Sequence, residues 1–115
     1  MPPKYGNKDF TCVKPLVETR ETALVTALEK EQAAIKSALQ VRKSALVAAW
    51  SNSDKKSVQK AVNSAHKTYM KAVKDAKKTA LKERLAAWKA YKDSAKTCRA
   101  IKSASEYSAE RSDSQ

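Results

Sequence analysis

Glycine is nearly absent from this chain: there is one, Gly6, in 115 residues. The three prolines, Pro2, Pro3 and Pro15, all precede residue 16. Beyond that point nothing breaks a helix, and no glycine-rich loop is available to cradle a nucleotide. Large aliphatic residues are also scarce, with Leu, Ile and Val numbering 17 together against 20 Ala. Such a set excludes a deep core but suits helices in close approach, so the fold class expected is all-α. No apolar run approaches the roughly 18 residues of a membrane span. The opening MPPKYGNKDF lacks the apolar segment of a secretory signal.

Catalytic apparatus is missing as well. The sequence holds no HExxH, no nucleophile elbow and no Cys-x-x-Cys pair, and its one histidine is His66. The expectation is a protein that is not an enzyme, with no metal site and no cofactor. His66 falls beside a run of lysines and reads as a surface residue.

Acids are scarce where bases are dense. Between Lys55 and Lys102 there are 15 Lys and Arg against Asp75, Glu83 and Asp93. That surplus equals the net charge of the whole chain, +12, so the remainder nets to zero. A solvated helix face normally mixes signs, and self-repulsion at this density is relieved by counter-anions. The partner expected is therefore a polyanion.

What the chain does contain is a repeat of eleven residues. From Val13 it reads VKPLVETRETA, LVTALEKEQAA, IKSALQVRKSA, LVAAWSNSDKK. The first positions are Val13, Leu24, Ile35 and Leu46, the fourth Leu16, Ala27, Ala38 and Ala49, and the fifth Val17, Leu28, Leu39 and Trp50. Eleven residues in three turns is about 3.67 per turn, so the apolar stripe of this hendecad coiled coil runs almost straight. Ser51-Asn52-Ser53-Asp54 interrupts the pattern, Asn52 suiting a helix end and Ser53 or Asp54 the cap of the next helix. The same period then resumes, with Val58, Tyr69, Ala80 and Tyr91 in one apolar column, Ala65, Ala76, Ala87 and Cys98 in another, and Lys56, Lys67, Lys78 and Lys89 in a basic one.

Two long helices with so short a link fold back as an antiparallel hairpin. The boundaries expected are a flexible arm over 1–11, a helical hairpin over 12–104 and a disordered tail over 105–115. Helix one covers about 14–51, with Pro15 in its first turn, and helix two about 54–104. Trp50, Tyr69 and Tyr91 fall in apolar columns and read as core, whereas Trp88 aligns with His66 and Lys77 and reads as flank. Arg20 and Glu83 are placed to form an ion pair.

Turning near residue 53, such a hairpin brings Cys12 opposite about residue 94, one helical turn from Cys98. A Cys12–Cys98 disulfide would close the open end, worth about 4–5 kcal/mol in the chain-entropy model. The alternative is two unrelated surface thiols. A disulfide implies an oxidising compartment, hence an extracellular or cell-surface location.

For the polyanion, the expectation is double-stranded DNA bound without sequence specificity by Lys56, Lys60, Lys67, Lys71, Lys74, Lys78, Lys82, Lys89 and Lys96. Two repeats span about 33 Å, close to the 34–36 Å turn of B-DNA. Few arginines and no aromatic platform lie on that face, so base reading is not expected. RNA stays open as a second polyanion. The competing readings are an amphipathic surface on anionic membranes, and a ligand-free assembly rod in which a homodimer forms a four-helix bundle.

The segments ETALVTALEKEQAAIKSALQVRKSALVAAW and TALKERLAAWKAYKDSAKTCRA resemble a group of small Ala/Lys-rich, cysteine-paired helical proteins of candidate-phyla-radiation bacteria. The likeness covers most of residues 12–102, although the second half here carries fewer Arg and Phe. It implies export and a disulfide-closed helical pair, and it brings no activity with it.

Overall fold

The computed structural model describes residues 7–98 and 104–115, and the side chains of 10–98 and 108–115. Three helices account for nearly all of them: α1 (Asn7–Ala49), α2 (Lys55–Thr97) and α3 (Ala104–Asp113). The chain divides into two compact units. One joins Met1–Leu28 to Ala80–Gln115, and the other is Glu29–Thr79.

The second unit is the turn of the hairpin. Here α1 ends as its ladder tightens: Ser51 N–H donates to Ala48 O at 3.2 Å and Asn52 N–H to Ala49 O at 3.3 Å. Side chains cap the last carbonyls, Ser51 Oγ reaching Val47 O at 2.9 Å and Asn52 Nδ2 reaching Ala49 O at 3.0 Å. Asp54 then opens α2, its Oδ2 accepting from Ser57 N–H at 3.2 Å and Ser57 Oγ at 3.0 Å. An acidic cap there also meets the positive end of the helix dipole. Ala38, Ala49 and Ala65 are the buried apolar residues of this unit. With nothing larger than a methyl at those positions the helices pack closely, and a groove of about 690 Å³ opens to one side, lined among others by Ala38, Val41, Arg42, Ala65 and Tyr69. Arg42 stacks on the Tyr69 ring at 4.3 Å.

The first unit holds the larger side chains. Val13 of α1 packs with Trp88, Tyr91, Ala95 and Cys98, and Leu16, Val17 and Leu24 lean on that cluster. Trp88 and Tyr91 meet edge to face, with ring centroids 5.9 Å apart. Arg20 is buried among them, its guanidinium 4.2 Å from the centre of the Trp88 ring and 4.5 Å from that of Tyr91. Its Nε donates to Glu21 Oε2 at 3.0 Å. Cys12 and Cys98 are joined in a disulfide, with Cα atoms 5.7 Å apart. The chain is thus an all-α antiparallel helical hairpin closed by that bond.

Four details differ from the sequence expectation. Helix α1 begins at Asn7, so residues 7–11 are helical and only 1–6 of the expected arm lie outside the described residues. Pro15 is consequently inside α1, where it lacks a backbone donor; Thr19 Oγ1 donates to the Pro15 carbonyl at 3.0 Å, which does not replace that N–H. Helix α2 ends at Thr97, and residues 99–103 of the expected helix lie outside the described ones. Most consequentially, Ala104–Asp113 is a helix where a disordered tail is expected.

That third helix also reverses the reading of the tryptophans. Trp88 is the most buried large side chain at 2% exposure, and its Nε1 donates to Asp113 Oδ2 at 2.8 Å. Arg84 Nε bonds the Asp113 carbonyl at 2.7 Å, and Lys92 pairs with Glu110. Trp88 is therefore core and not flank: it packs with Val13 and Tyr91 beneath Arg20, and α3 supplies the acceptor for its indole N–H. Trp50, expected in the core, is 71% exposed, and Leu28 and Leu39 of the same column are exposed at 50% and 40%, so from Leu28 onward that column lies outside the packed face of α1.

Candidate nucleic-acid interface

Within the hairpin unit α2 carries Lys55, Lys56, Lys60, Lys67, Lys71, Lys74, Lys77 and Lys78, all exposed. The only acid on this part of the helix is Asp75. None of Lys56, Lys60, Lys67, Lys71, Lys74 and Lys78 forms an ion pair with a carboxylate among the described residues. The pairs 56–60, 67–71 and 74–78 stand four residues apart, and so share sides of the helix. Lys56, Lys67 and Lys78 are spaced eleven residues apart, about 16.5 Å of rise per step. The inward residues of the same segment are Val58, Ala65 and Tyr69, buried or half-buried. Ammonium groups and packed residues thus separate by helical periodicity alone.

In the other unit α2 presents Lys82, Lys89, Lys92 and Lys96, again exposed. Here acids intervene. Lys89 Nζ lies 3.0 Å from Asp93 Oδ2, Lys96 Nζ lies 3.8 Å from Asp93 Oδ1, and Lys92 meets Glu110 of α3. The hydrogen bond and charge of Lys89 hold the Asp93 carboxyl below its ordinary value. These ammonium groups remain at the surface, and exposed pairs exchange readily for other anions.

All nine lysines singled out in the sequence are therefore exposed. Lys55, Lys77 and Lys92 are exposed too, although the repeat alone did not single them out; Lys92, at 46%, is less so than Lys89 at 79%, and an acid of α3 reaches it. His66 is exposed among the lysines. No group of three or more His, Cys, Asp or Glu positioned for a metal occurs among the described residues, and no helix among them is long and apolar enough to cross a membrane. Comparison with family models, curated proteins and solved structures returns no match.

Proposed function

We propose that this protein binds duplex DNA without sequence specificity through the exposed lysines of α2. The observation that supports this most is the hairpin unit's stretch of eight exposed lysines from Lys55 to Lys78, which holds one acid, Asp75, and is preceded by the capping Asp54. Lysine is a point-charge donor to phosphate and carries no base code, so affinity would come from counterion release. The rise from Lys56 to Lys78, about 33 Å, matches a helical turn of B-DNA. The lysines of α2 so engage phosphates, chiefly Lys56, Lys60, Lys67, Lys71, Lys74 and Lys78, joined by Lys82, Lys89 and Lys96. The disulfide fits an exported protein that captures or coats DNA outside the reducing cytosol.

Fluorescence anisotropy with a labelled 30-base-pair duplex of arbitrary sequence, titrated at several salt concentrations, tests the reading (a length of roughly three helical turns). Binding at low salt should weaken by orders of magnitude between about 50 and 200 mM. An absence of binding at low salt would remove DNA as the ligand. Tighter binding to duplex RNA would transfer the site to RNA, and salt-sensitive binding to anionic vesicles alone would favour a membrane surface.

A further inference from the structure

One side of α1 in the hairpin unit is apolar and uncovered. Leu39 is 40% exposed, Val47 65% and Trp50 71%, and Ile35 and Leu46 are only half-buried. Helical spacing puts Glu31, Ile35, Leu39, Lys43, Leu46 and Trp50 in one strip. None of these six lines the alanine groove, which takes Ala34, Ala38, Val41 and Ala45 from other turns of α1.

The strip has a reversed symmetry. Glu31, Ile35, Leu39 and Lys43 follow one another at intervals of four residues, with an acid at one end and a base at the other. Turned end over end, the same strip presents base to acid and aliphatic to aliphatic. We infer that this strip is the contact surface for a second copy of the chain, α1 packing antiparallel on its own counterpart about a two-fold axis at residue 37.

In that register Glu31 faces the second copy's Lys43, and Ile35 faces its Leu39. The symmetry repeats each pairing, so two ion pairs bracket an aliphatic centre over about 18 Å of helix. Of the remaining cations, Lys30 falls opposite Ser44 and Arg42 opposite Gln32, while Lys36, opposite Ala38, is the one that approaches its own symmetry mate near the axis. A parallel in-register pairing would instead set every cation on its own counterpart, Lys43 on Lys43 and Glu31 on Glu31 included, which a strongly basic protein disfavours. The near-straight stripe of an eleven-residue repeat suits side-by-side packing of this kind. An anionic lipid surface fits less well, because it favours lysines along both borders of an apolar face and Glu31 interrupts this one. The interface uses none of the lysines of α2, so it stands apart from the DNA reading.

Sedimentation equilibrium of the oxidised full-length chain tests the inference. The expected mass is that of two 12.7 kDa chains. Leu39→Lys, at an exposed position, should abolish the dimer while the helical circular dichroism is retained. Glu31→Lys and Lys43→Glu should each weaken it about tenfold or more, since the two-fold axis applies every substitution twice. The double variant E31K/K43E should return to within about threefold of the parent. A monomer at concentrations near 100 µM, roughly the range of weak association, would overturn the inference. So would a dimer indifferent to Leu39→Lys, or a double variant no better than the singles. A monomer whose exposed tryptophan shifts its emission to the blue on anionic vesicles would assign the strip to lipid, and overturn it equally.

Discussion

The Arg20 guanidinium lies against two aromatic rings at once, 4.2 Å from the centre of Trp88 and 4.5 Å from that of Tyr91. A charged group at 8% exposure is tolerable here because the faces of both rings attract it, and because Glu21 accepts from its Nε. The planar fork stacks where a lysine ammonium would not, and its methylene stem adds to the packing.

Arg20→Ala should therefore destabilise the protein by about 2–3 kcal/mol, combining lost stacking with a cavity beside Trp88. Arg20→Lys should recover less than half of that loss. Urea unfolding of the oxidised proteins checks both. A cost below about 0.5 kcal/mol for the alanine variant, the level of an ordinary surface change, would show that the stack contributes nothing.

The Cys12–Cys98 bond spans 86 positions in sequence. In the chain-entropy model a loop of that size is worth about 4–5 kcal/mol. The aliphatic content is low, so that amount is a large part of an ordinary domain's stability of roughly 5–15 kcal/mol. Replacing both cysteines by serine should lower the urea midpoint steeply and fray the first turns of α1 ahead of Pro15. Hydrogen exchange would locate the fraying. Equal protection of the N-terminal turns in parent and variant would contradict it.

The contrast between Trp50 and Trp88 shows where the sequence was legible. The fourth positions of the eleven-residue repeat, Ala27, Ala38 and Ala49, are buried, as is Val13, whereas Leu28, Leu39 and Trp50 of its fifth column are exposed, so the apolar stripe of the repeat is wider than the surface that packs. The lysines follow from the same arithmetic, since a residue opposite a packed column is exposed whatever the packing details. Periodicity within two helices cannot register a third. The stretch after Ser103 is polar and serine-rich, with no apolar stripe, so it reads as a tail. Among the described side chains its docking includes single polar interactions, Asp113 with Trp88 and Arg84, and Glu110 with Lys92. Interactions of that kind leave no periodic trace.

The docking of α3 is testable through its last carboxylate. Asp113→Ala removes the acceptor of a buried indole N–H, and an unsatisfied donor costs about 1–3 kcal/mol. Asp113→Asn keeps a carbonyl acceptor and should cost less. Tryptophan emission should move to the red in the alanine variant as water reaches Trp88. Emission and stability both unchanged would mean that α3 does not cover Trp88 in solution.

Asp93 gives a pH prediction with a definite sign. The hydrogen bond from Lys89, then the charge of the same residue, holds its carboxyl below the ordinary 3.8. A depressed acid contributes stability that is complete above its unfolded value and is lost as pH falls through the folded one. The loss should therefore appear only below about pH 3.8, and it should be small because the pair is exposed. In a carboxyl NMR titration, Lys89→Ala should raise the Asp93 midpoint more than Lys96→Ala does. Equal effects would assign the depression to the general positive field of α2 in place of the one hydrogen bond.

The same pairing sorts the lysines proposed to meet DNA. Removing one ammonium that neutralises a phosphate should reduce the salt slope of log affinity by about 0.9. Lys67→Ala or Lys71→Ala in the hairpin unit frees no local carboxylate and should show the full decrement. Lys89→Ala and Lys96→Ala each leave Asp93 with one cation fewer, so the ammonium removed was already partly neutralised and the slope should change less. Asp93→Asn should strengthen binding, because it releases both lysines and removes a repelling charge. Anisotropy titrations of these variants on one duplex, across the same salt series, compare them directly. Equal decrements at Lys67 and Lys89, with no gain from Asp93→Asn, would mean that local ion pairing does not choose the phosphate-binding residues, and that only the total charge of the helix is felt.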